Sequence, residues 1–294
     1  MSDSRRTGEA GTPMTRTGGG AMGTRNEASA HAASAPAAAV EHPARRRMLA
    51  RSLAAAGAVI LAGCDRLNNS EWFPKVLEAG EKLSARVAPL LTGRKAMAQE
   101  YTPADLSPSF RSNGTARPMN AQYDALAAAG FADYTLVVDG LVEQPQRLSL
   151  AALRALPSRT QITRHDCVEG WSAIGKWKGV RLASVLEAAR LKPTARYVVF
   201  HCFDPMEQDG TDPYYESIDL DDAFHEQTIL AYELNDRALP VANGAPVRLR
   251  VERQLGYKHA KYVMRIETVE SFAELHGGRG GYWEDQGYQW YAGI

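Results

Sequence analysis

Thr163-Arg164-His165-Asp166-Cys167-Val168-Glu169-Gly170-Trp171-Ser172 is a polar run built around one thiol. A Pro157-Ser158-Arg159 turn precedes it, and the run reads as a loop, with a helical segment and then apolar strands expected beyond it. The thiolate is the form of cysteine that binds metals or attacks electrophiles, and neighbouring charge sets its population. Cys167 has His165, Asp166 and Glu169 close by in sequence. Arg164 and His165 would add positive potential. The residue types leave two readings open: a loop with a buried, inert cysteine, or a working thiolate.

The remaining cysteines narrow the choice. The three stand at 64, 167 and 202, with no Cys-x-x-Cys spacing, so a zinc ribbon, a thioredoxin-type redox site and c-type haem attachment lack support. A Cys167–Cys202 disulfide is open to an exported protein and ranks behind metal ligation, with which it would compete. The 294 residues suit one large domain or two small ones. Zero formal net charge gives no reason to expect a nucleic-acid partner. No glycine-rich dinucleotide fingerprint and no phosphate loop occurs.

Four segments follow from composition. Residues 1–44 are Ala, Gly, Ser, Thr and Arg with almost no large apolar groups, so they cannot offset chain entropy by burial and read as a disordered leader. Residues 45–64 hold Arg45-Arg46-Arg47-Met48-Leu49 and then a short apolar run, the layout of an export signal of twin-arginine type. That run is too short and interrupted for a comfortable membrane span, although an uncleaved anchor is the alternative. Leu61-Ala62-Gly63-Cys64 has the form of a lipoprotein box, which implies cleavage before Cys64 and a lipid tether on its thiol. Residues 65–100 carry apolar groups three and four apart and read as a helical spacer. Residues 101–294 form the working domain.

Within that domain, strands are expected over 134–138, 196–203, 228–234, 247–251 and 262–269. A short helix over 150–156, capped by Ser149 and stopped by Pro157, is expected, with another carrying Leu182, Val185, Leu186 and Ala189 on one face. Asp219 opens a further helix. In Val247-Arg248-Leu249-Arg250-Val251 the apolar residues face the core and the arginines share the other face. The acidic, aromatic stretch 204–222 reads as a pocket rim or a solvated loop. Tyr282, Trp283, Trp290 and Tyr291 in the tail read as a clamp on the domain rather than an edge of a pocket.

Two motifs carry a resemblance. Cys167-Val168-Glu169-Gly170-Trp171-Ser172 resembles the Cys-Val-Glu-Ala-Trp-Ser stretch of bacterial molybdopterin-dependent sulfoxide reductase catalytic subunits, of the sulfite oxidase superfamily. Asn243-Gly244-Ala245-Pro246-Val247-Arg248-Leu249, followed by Gly256-Tyr257-Lys258-His259-Ala260-Lys261, is similar to a second family motif in order and interval. The resemblance spans roughly 101–275.

It implies an α+β fold, sulfite-oxidase-like and molybdopterin-binding, with mixed β-sheets and short helices around a deep cofactor cleft. It implies a molybdenum-molybdopterin cofactor with Cys167 as metal ligand. Glu169 would tune the site or relay protons, with a merely solvated Glu as the alternative. Cofactor-binding positions would be Asn113, Cys202 (where the family usually has Thr), Asn243, Arg248, His259, Ala260 and Lys261. Arg248 would offer the phosphate a planar fork and Lys261 a point charge, while Lys258 would assist or be exposed. His201 reads as a core histidine.

The implied activity is oxygen-atom transfer, with reduction of sulfoxide or N-oxide substrates, small or protein-bound. The implied partner is a separate membrane haem or quinol protein. The implied state is a monomer in the periplasm, tethered by lipid to the inner membrane. The ligand stretch of animal and plant sulfite oxidases, Cys-Ala-Gly-Asn-Arg-Arg, does not occur, which speaks against sulfite itself. The competing readings are an exported cysteine hydrolase with Cys167 as nucleophile and His165, His201 or His259 as base, and a non-catalytic binding lipoprotein.

Overall fold

A computed structural model describes residues 70, 72, 73, 75, 76, 79, 80, 95–206 and 213–294. The chain divides into two compact units, Met1–Ser70 and Glu71–Ile294, and of the first only Ser70 is among the described residues. The readings of 1–44 and of 45–64, Cys64 included, therefore lie outside the described residues, as does most of the 65–100 spacer. Within that spacer the Val76 N–H bonds the Trp72 carbonyl at 3.0 Å, the contact of an α-turn. No helix among the described residues is long and apolar enough to cross a membrane.

In chain order the strands are β1 (Thr135–Gly140), β2 (Gln146–Ser149), β3 (Ser158–Cys167), β4 (Trp171–Arg181) and β5 (Tyr197–Pro205). They continue as β6 (Pro213–Asp219), β7 (Ile229–Leu234), β8 (Arg237–Ala238), β9 (Arg248–Arg250) and β10 (Val263–Val269). The helices are short: α1 (Ala121–Ala128), α2 (Leu150–Ala155), α3 (Leu182–Ala189), α4 (Leu220–Ala223) and α5 (Tyr282–Asp285). One sheet has the order β2-β1-β10-β5-β6, with β1 parallel to β10 and the other pairs antiparallel. The other runs β3-β4-β7-β8, with β9 also on β7, and is antiparallel throughout.

Local chemistry explains the expected elements. Ser149 accepts from the Ala152 N–H at 3.1 Å and opens α2. Asp219 does the same for α4 through the Asp222 N–H at 2.8 Å. Leu182, Val185, Leu186 and Ala189 form the buried face of α3. The larger core joins both sheets: Leu136 and Val138 of β1, Phe200 of β5 and Ile266 of β10 meet Leu230 of β7 and Leu249 of β9. Each such side chain contributes about 1.5–3 kcal/mol by leaving water. The alternate residues of β7, Ile229 and Ala231, point to a second cluster around Trp177.

Two expectations need correction. The run around Cys167 is not a loop followed by a helix. It is a β-hairpin, β3 paired with β4 from Ser158↔Val180 to Cys167↔Trp171, and α3 begins only after β4 ends. On β3 the residues Gln161, Thr163, His165 and Cys167 are buried in alternation. The period of two is present, but the buried members are mostly polar, so hydropathy hides it. Likewise 213–219 is a strand, β6, buried along most of its length, rather than a solvated loop.

Candidate active site

Cys167 closes β3 at the tip of the hairpin. The turn needs Gly170, whose φ of +84° lies where a side chain is strained, and the Gly170 N–H returns to the Cys167 carbonyl at 3.0 Å. This geometry presents the thiol, 9% exposed, to a cleft of about 560 Å³, open mouth included. Asn113, Thr115, Glu169, Asp204, His259 and Lys261 supply its polar lining. Val168, Met206, Tyr214 and Trp283 supply an apolar and aromatic wall. Burial pushes the Cys167 thiol up, against a backbone hydrogen bond at Glu169 and the cations Arg111 and Arg248. A bound metal would remove that proton outright. Glu169 accepts from the Trp171 indole N–H at 2.8 Å.

Behind the cleft lies an excess of basic groups. Arg248 and Arg250 are fully buried, with their guanidinium carbons 5.2 and 4.4 Å from the centre of the Trp177 ring. The arginines thus do share one face of β9, and that face is a buried one. Arg250 is neutralised by Glu252 through bonds of 2.9 and 2.5 Å. Among the described residues Arg248 has no carboxylate partner; it donates to the Asn243 carbonyl at 3.1 Å and reaches Asn113 Oδ1 and the His259 carbonyl at 3.5 Å. Burial, with Arg250 beside it, pulls Arg248 down to about 9. An anion in the cleft would relieve that strain.

Lys261 is committed differently. Its ammonium donates to the carbonyls of Asn113, Thr115 and Ala242 at 2.6, 2.5 and 3.0 Å. Three N–H groups are all it has, so Lys261 staples the 112–115 loop to the 241–243 turn and offers a ligand charge rather than a free donor. Burial and Arg248 lower it to about 7. Gly244, at φ +109°, lets this turn lie against it: a Cβ there would come within 2.9 Å of Lys261 Cβ.

The two histidines have defined tautomers. Arg250 can only donate, so His165 Nδ1, 2.9 Å away, accepts and Nε2 carries the proton. The Gln254 carbonyl can only accept, so His259 Nε2, 3.0 Å away, donates and Nδ1 is a bare acceptor. Burial and Arg250 hold both rings neutral. His165 therefore adds no positive potential, and Arg164 spends its charge on Asp166 at 2.9 Å at the surface.

The other expected site residues fall as follows. Asn113, Glu169, His259 and Lys261 line the cleft with Cys167. Asn243 and Arg248 lie behind it, joined by the 3.1 Å bond. The Ala260 carbonyl accepts from the Leu249 N–H at 2.8 Å and its methyl packs in the core. Cys202 also sits in the core, its sulfur 4.0 Å from the Phe200 carbonyl; it and Cys167 are both free thiols, so no disulfide joins them. His201 pairs with Glu267 at 2.9 Å.

Lys258 is fully buried rather than exposed, between Glu216 of β6 at 2.5 Å and Glu284 of α5 at 2.6 Å. Burial raises the Glu216 carboxyl well above the usual range. The tail both clamps and edges: Trp290 donates to Ser217 at 2.8 Å while Trp283 lines the cleft. Asp204 and Thr115 were not singled out from sequence. Asp204 lies in the acidic stretch weighed as a pocket rim, and its place two residues beyond Cys202 on one strand was the available signal.

Comparisons with known proteins give the family. The family model described as "Oxidoreductase molybdopterin binding domain" matches residues 124–275. A putative protein-methionine-sulfoxide reductase subunit YedZ1 from Azospira oryzae is 37% identical over 258 residues, 86% of this chain and 89% of its own. This chain belongs to the molybdopterin-binding oxidoreductases. The protein-methionine-sulfoxide reductase catalytic subunit MsrP of Xanthomonas axonopodis pv. citri is 40% identical over 151 residues, 48% of this chain and 46% of its own. The sulfane dehydrogenase SoxCD of Paracoccus pantotrophus aligns with a TM-score of 0.42 and 22% identity over 48% of this chain and 39% of its own.

The protein is thus a molybdenum-dependent oxidoreductase with a molybdenum-molybdopterin cofactor, as the two motifs imply, and its mixed sheets with short helices are the fold they imply. The residues fit that cofactor. Arg248 Nε, Asn243 Nδ2, His259 Nδ1 and Asp204 Oδ1 are buried polar atoms without a protein partner, a costly arrangement unless something in the cleft satisfies them. The competing reading of a hydrolase built on Cys167 is displaced by the family assignment.

Proposed function

We propose that this enzyme reduces sulfoxides by oxygen-atom transfer, with Cys167 as the protein ligand to molybdenum. One observation carries the reading: a single buried thiol faces a cleft beside the apolar wall of Val168, Met206 and Trp283. A sulfoxide has a polar oxygen and apolar substituents, so its oxygen suits the metal end and its carbon groups suit that wall. The relatives named as methionine-sulfoxide reductase subunits support this substrate class.

The cofactor supplies the two-electron chemistry, and the protein supplies binding, orientation and electrostatics. The balance is one sulfoxide, two electrons and two protons giving one sulfide and one water. Arg248, with a free Nε–H, and the charge of Lys261 would hold the phosphate. Asn113, Asn243 and His259, together with the backbone at Ala260, would hold the rest of the cofactor. Glu169, fixed by Trp171, stands at the cleft with an oxygen able to pass protons inward. Cys202, in the core, would act by filling space beneath the site. Electrons would come from a separate membrane haem or quinol partner. The leader would direct twin-arginine export to the periplasm, where lipid on Cys64 would tether a monomer to the inner membrane.

The test is metal and pterin analysis of wild type beside Cys167→Ser, with sulfoxide-dependent oxidation of a reduced dye. Wild type should carry near-stoichiometric molybdenum and turn over. Cys167→Ser should lose turnover to background and change the metal's absorption spectrum. Fully loaded wild type that turns over no sulfoxide and no N-oxide would sink the substrate reading.

A further inference from the structure

Tyr262 stands in a backbone conformation that its side chain opposes. Its φ of +55° lies in the left-handed region, which a bulky residue occupies only when its surroundings compel it. The residue directly precedes β10 and is fully buried, its ring edge-on to Tyr123 with 5.3 Å between centres. Its hydroxyl donates to the Thr115 carbonyl at 2.8 Å. Lys261, its neighbour in the chain, donates to the same carbonyl. In an extended strand successive side chains point to opposite faces, so neighbours do not meet on one atom. The left-handed backbone at Tyr262 breaks the alternation and brings the two donors together.

Their target is a wall of the cleft with little hold of its own. Asn113, Gly114 and Thr115 line the cavity with Cys167. Residues 112–115 make no backbone-to-backbone hydrogen bond with the described residues, and none of the four is buried. Side chains fix this wall instead. The Ser112 hydroxyl bonds the Ala242 carbonyl. Lys261 divides its three N–H groups among three carbonyls, whereas the Tyr262 hydroxyl gives its one proton to Thr115. Burial pushes that hydroxyl up, so it stays a donor.

We propose that Tyr262 is a positioning residue for the cleft: its hydroxyl fixes the Thr115 carbonyl, and with it the 112–115 wall that the cofactor needs in place. The link to the cofactor rests on the molybdopterin reading; the hold on the wall does not.

The experiment compares wild type with Tyr262→Phe, which keeps the ring and loses the hydroxyl. Arg111 is exposed at the entrance to the wall, so trypsin cleavage of the Arg111–Ser112 bond tracks how often the wall opens. In cofactor-free protein, from cells unable to make molybdopterin, Tyr262→Phe should be cut there roughly three- to tenfold faster, the effect of one hydrogen bond. Other tryptic sites should keep the wild-type rate. From holoprotein, pterin fluorescence should show cofactor release faster by a similar factor. Should Tyr262→Phe not fold, Tyr262→Asn takes its place, since Asn suits a left-handed backbone and is too short to reach Thr115. Wild-type cutting at Arg111 overturns the proposal. So does faster cutting at every site in step with a lower urea midpoint, because Tyr262 would then act as core alone. A loosened wall with wild-type release also overturns it. A wild type that carries no pterin or molybdenum breaks the cofactor reading instead, and the trypsin result still judges the hold of Tyr262 on the wall.

Discussion

The two sheets bury different chemistry. The sheet containing β1, β5 and β10 is sealed by Leu136, Val138, Phe200 and Ile266. The sheet containing β3, β4 and β9 buries Gln161, Thr163, His165, Arg248 and Arg250. In the first, stability comes from apolar area. In the second, every buried polar group needs a partner, and several find one among themselves: Gln161 with Glu252 at 2.8 Å, Glu252 with Arg250, Arg250 with His165. The first sheet works mainly as scaffold, with Asp204 and Glu216 as buried polar exceptions on β5 and β6; the second gives up apolar sealing to hold a charged guest.

The sharpest test of that contrast is Leu136→Ala. It should cost about 2–5 kcal/mol in urea denaturation and leave cofactor content per folded molecule unchanged. Loss of cofactor in proportion to stability would mean that the two sheets do not divide the work.

A smaller effect should appear with pH. Burial raises the Asp204 carboxyl to about 6 from its ordinary 3.8. Between those values the folded protein keeps a proton that the unfolded chain has released, so stability falls as pH rises from about 4 to 6 and then levels off. Asp204→Asn lacks this loss. In cofactor-free protein it should match wild type near pH 4 and exceed it at pH 7 by on the order of 2–3 kcal/mol. Parallel urea-midpoint curves for the two proteins across that range would refute the assignment.

The smallest effect is the most pointed. The Thr163 hydroxyl oxygen is buried without a partner. Thr163→Val should therefore be neutral or stabilising by up to about 1 kcal/mol, where polar-to-apolar changes at satisfied sites destabilise. A loss comparable to that of Leu136→Ala would show that the hydroxyl is satisfied in solution and would weaken the contrast.

The same contrast decided what could be read before the structure. Strands β1, β5, β7 and β10 and helices α2 and α3 lie close to where hydropathy and caps place them, because their buried residues are apolar. The hairpin that carries Cys167 is hidden in the sequence because its inner face is Gln161, Thr163, His165 and Cys167; alternation without hydrophobicity has no voice in a hydropathy pattern. The place of Lys258 is hidden for a related reason: a lysine reads as surface, and only the fold brings Glu216 and Glu284 to it from 42 and 26 residues away. The cleft residues nearest the motifs were legible as words. Asp204, outside both motifs, emerged only when its side chain was seen beside Lys261 in one cavity.

The buried Lys258–Glu216–Glu284 cluster ties three distant parts of the chain together. Cys167 and the arginines are synthesised well before α5, yet Trp283, part of the cleft wall, is anchored beside Glu284 in that helix. Trp283 thus shares the wall with Val168, Met206 and Tyr214, which come from earlier in the chain. A single buried lysine held between two carboxyl groups therefore fastens the last stretch of the chain to its middle, as a bolt fastens a door.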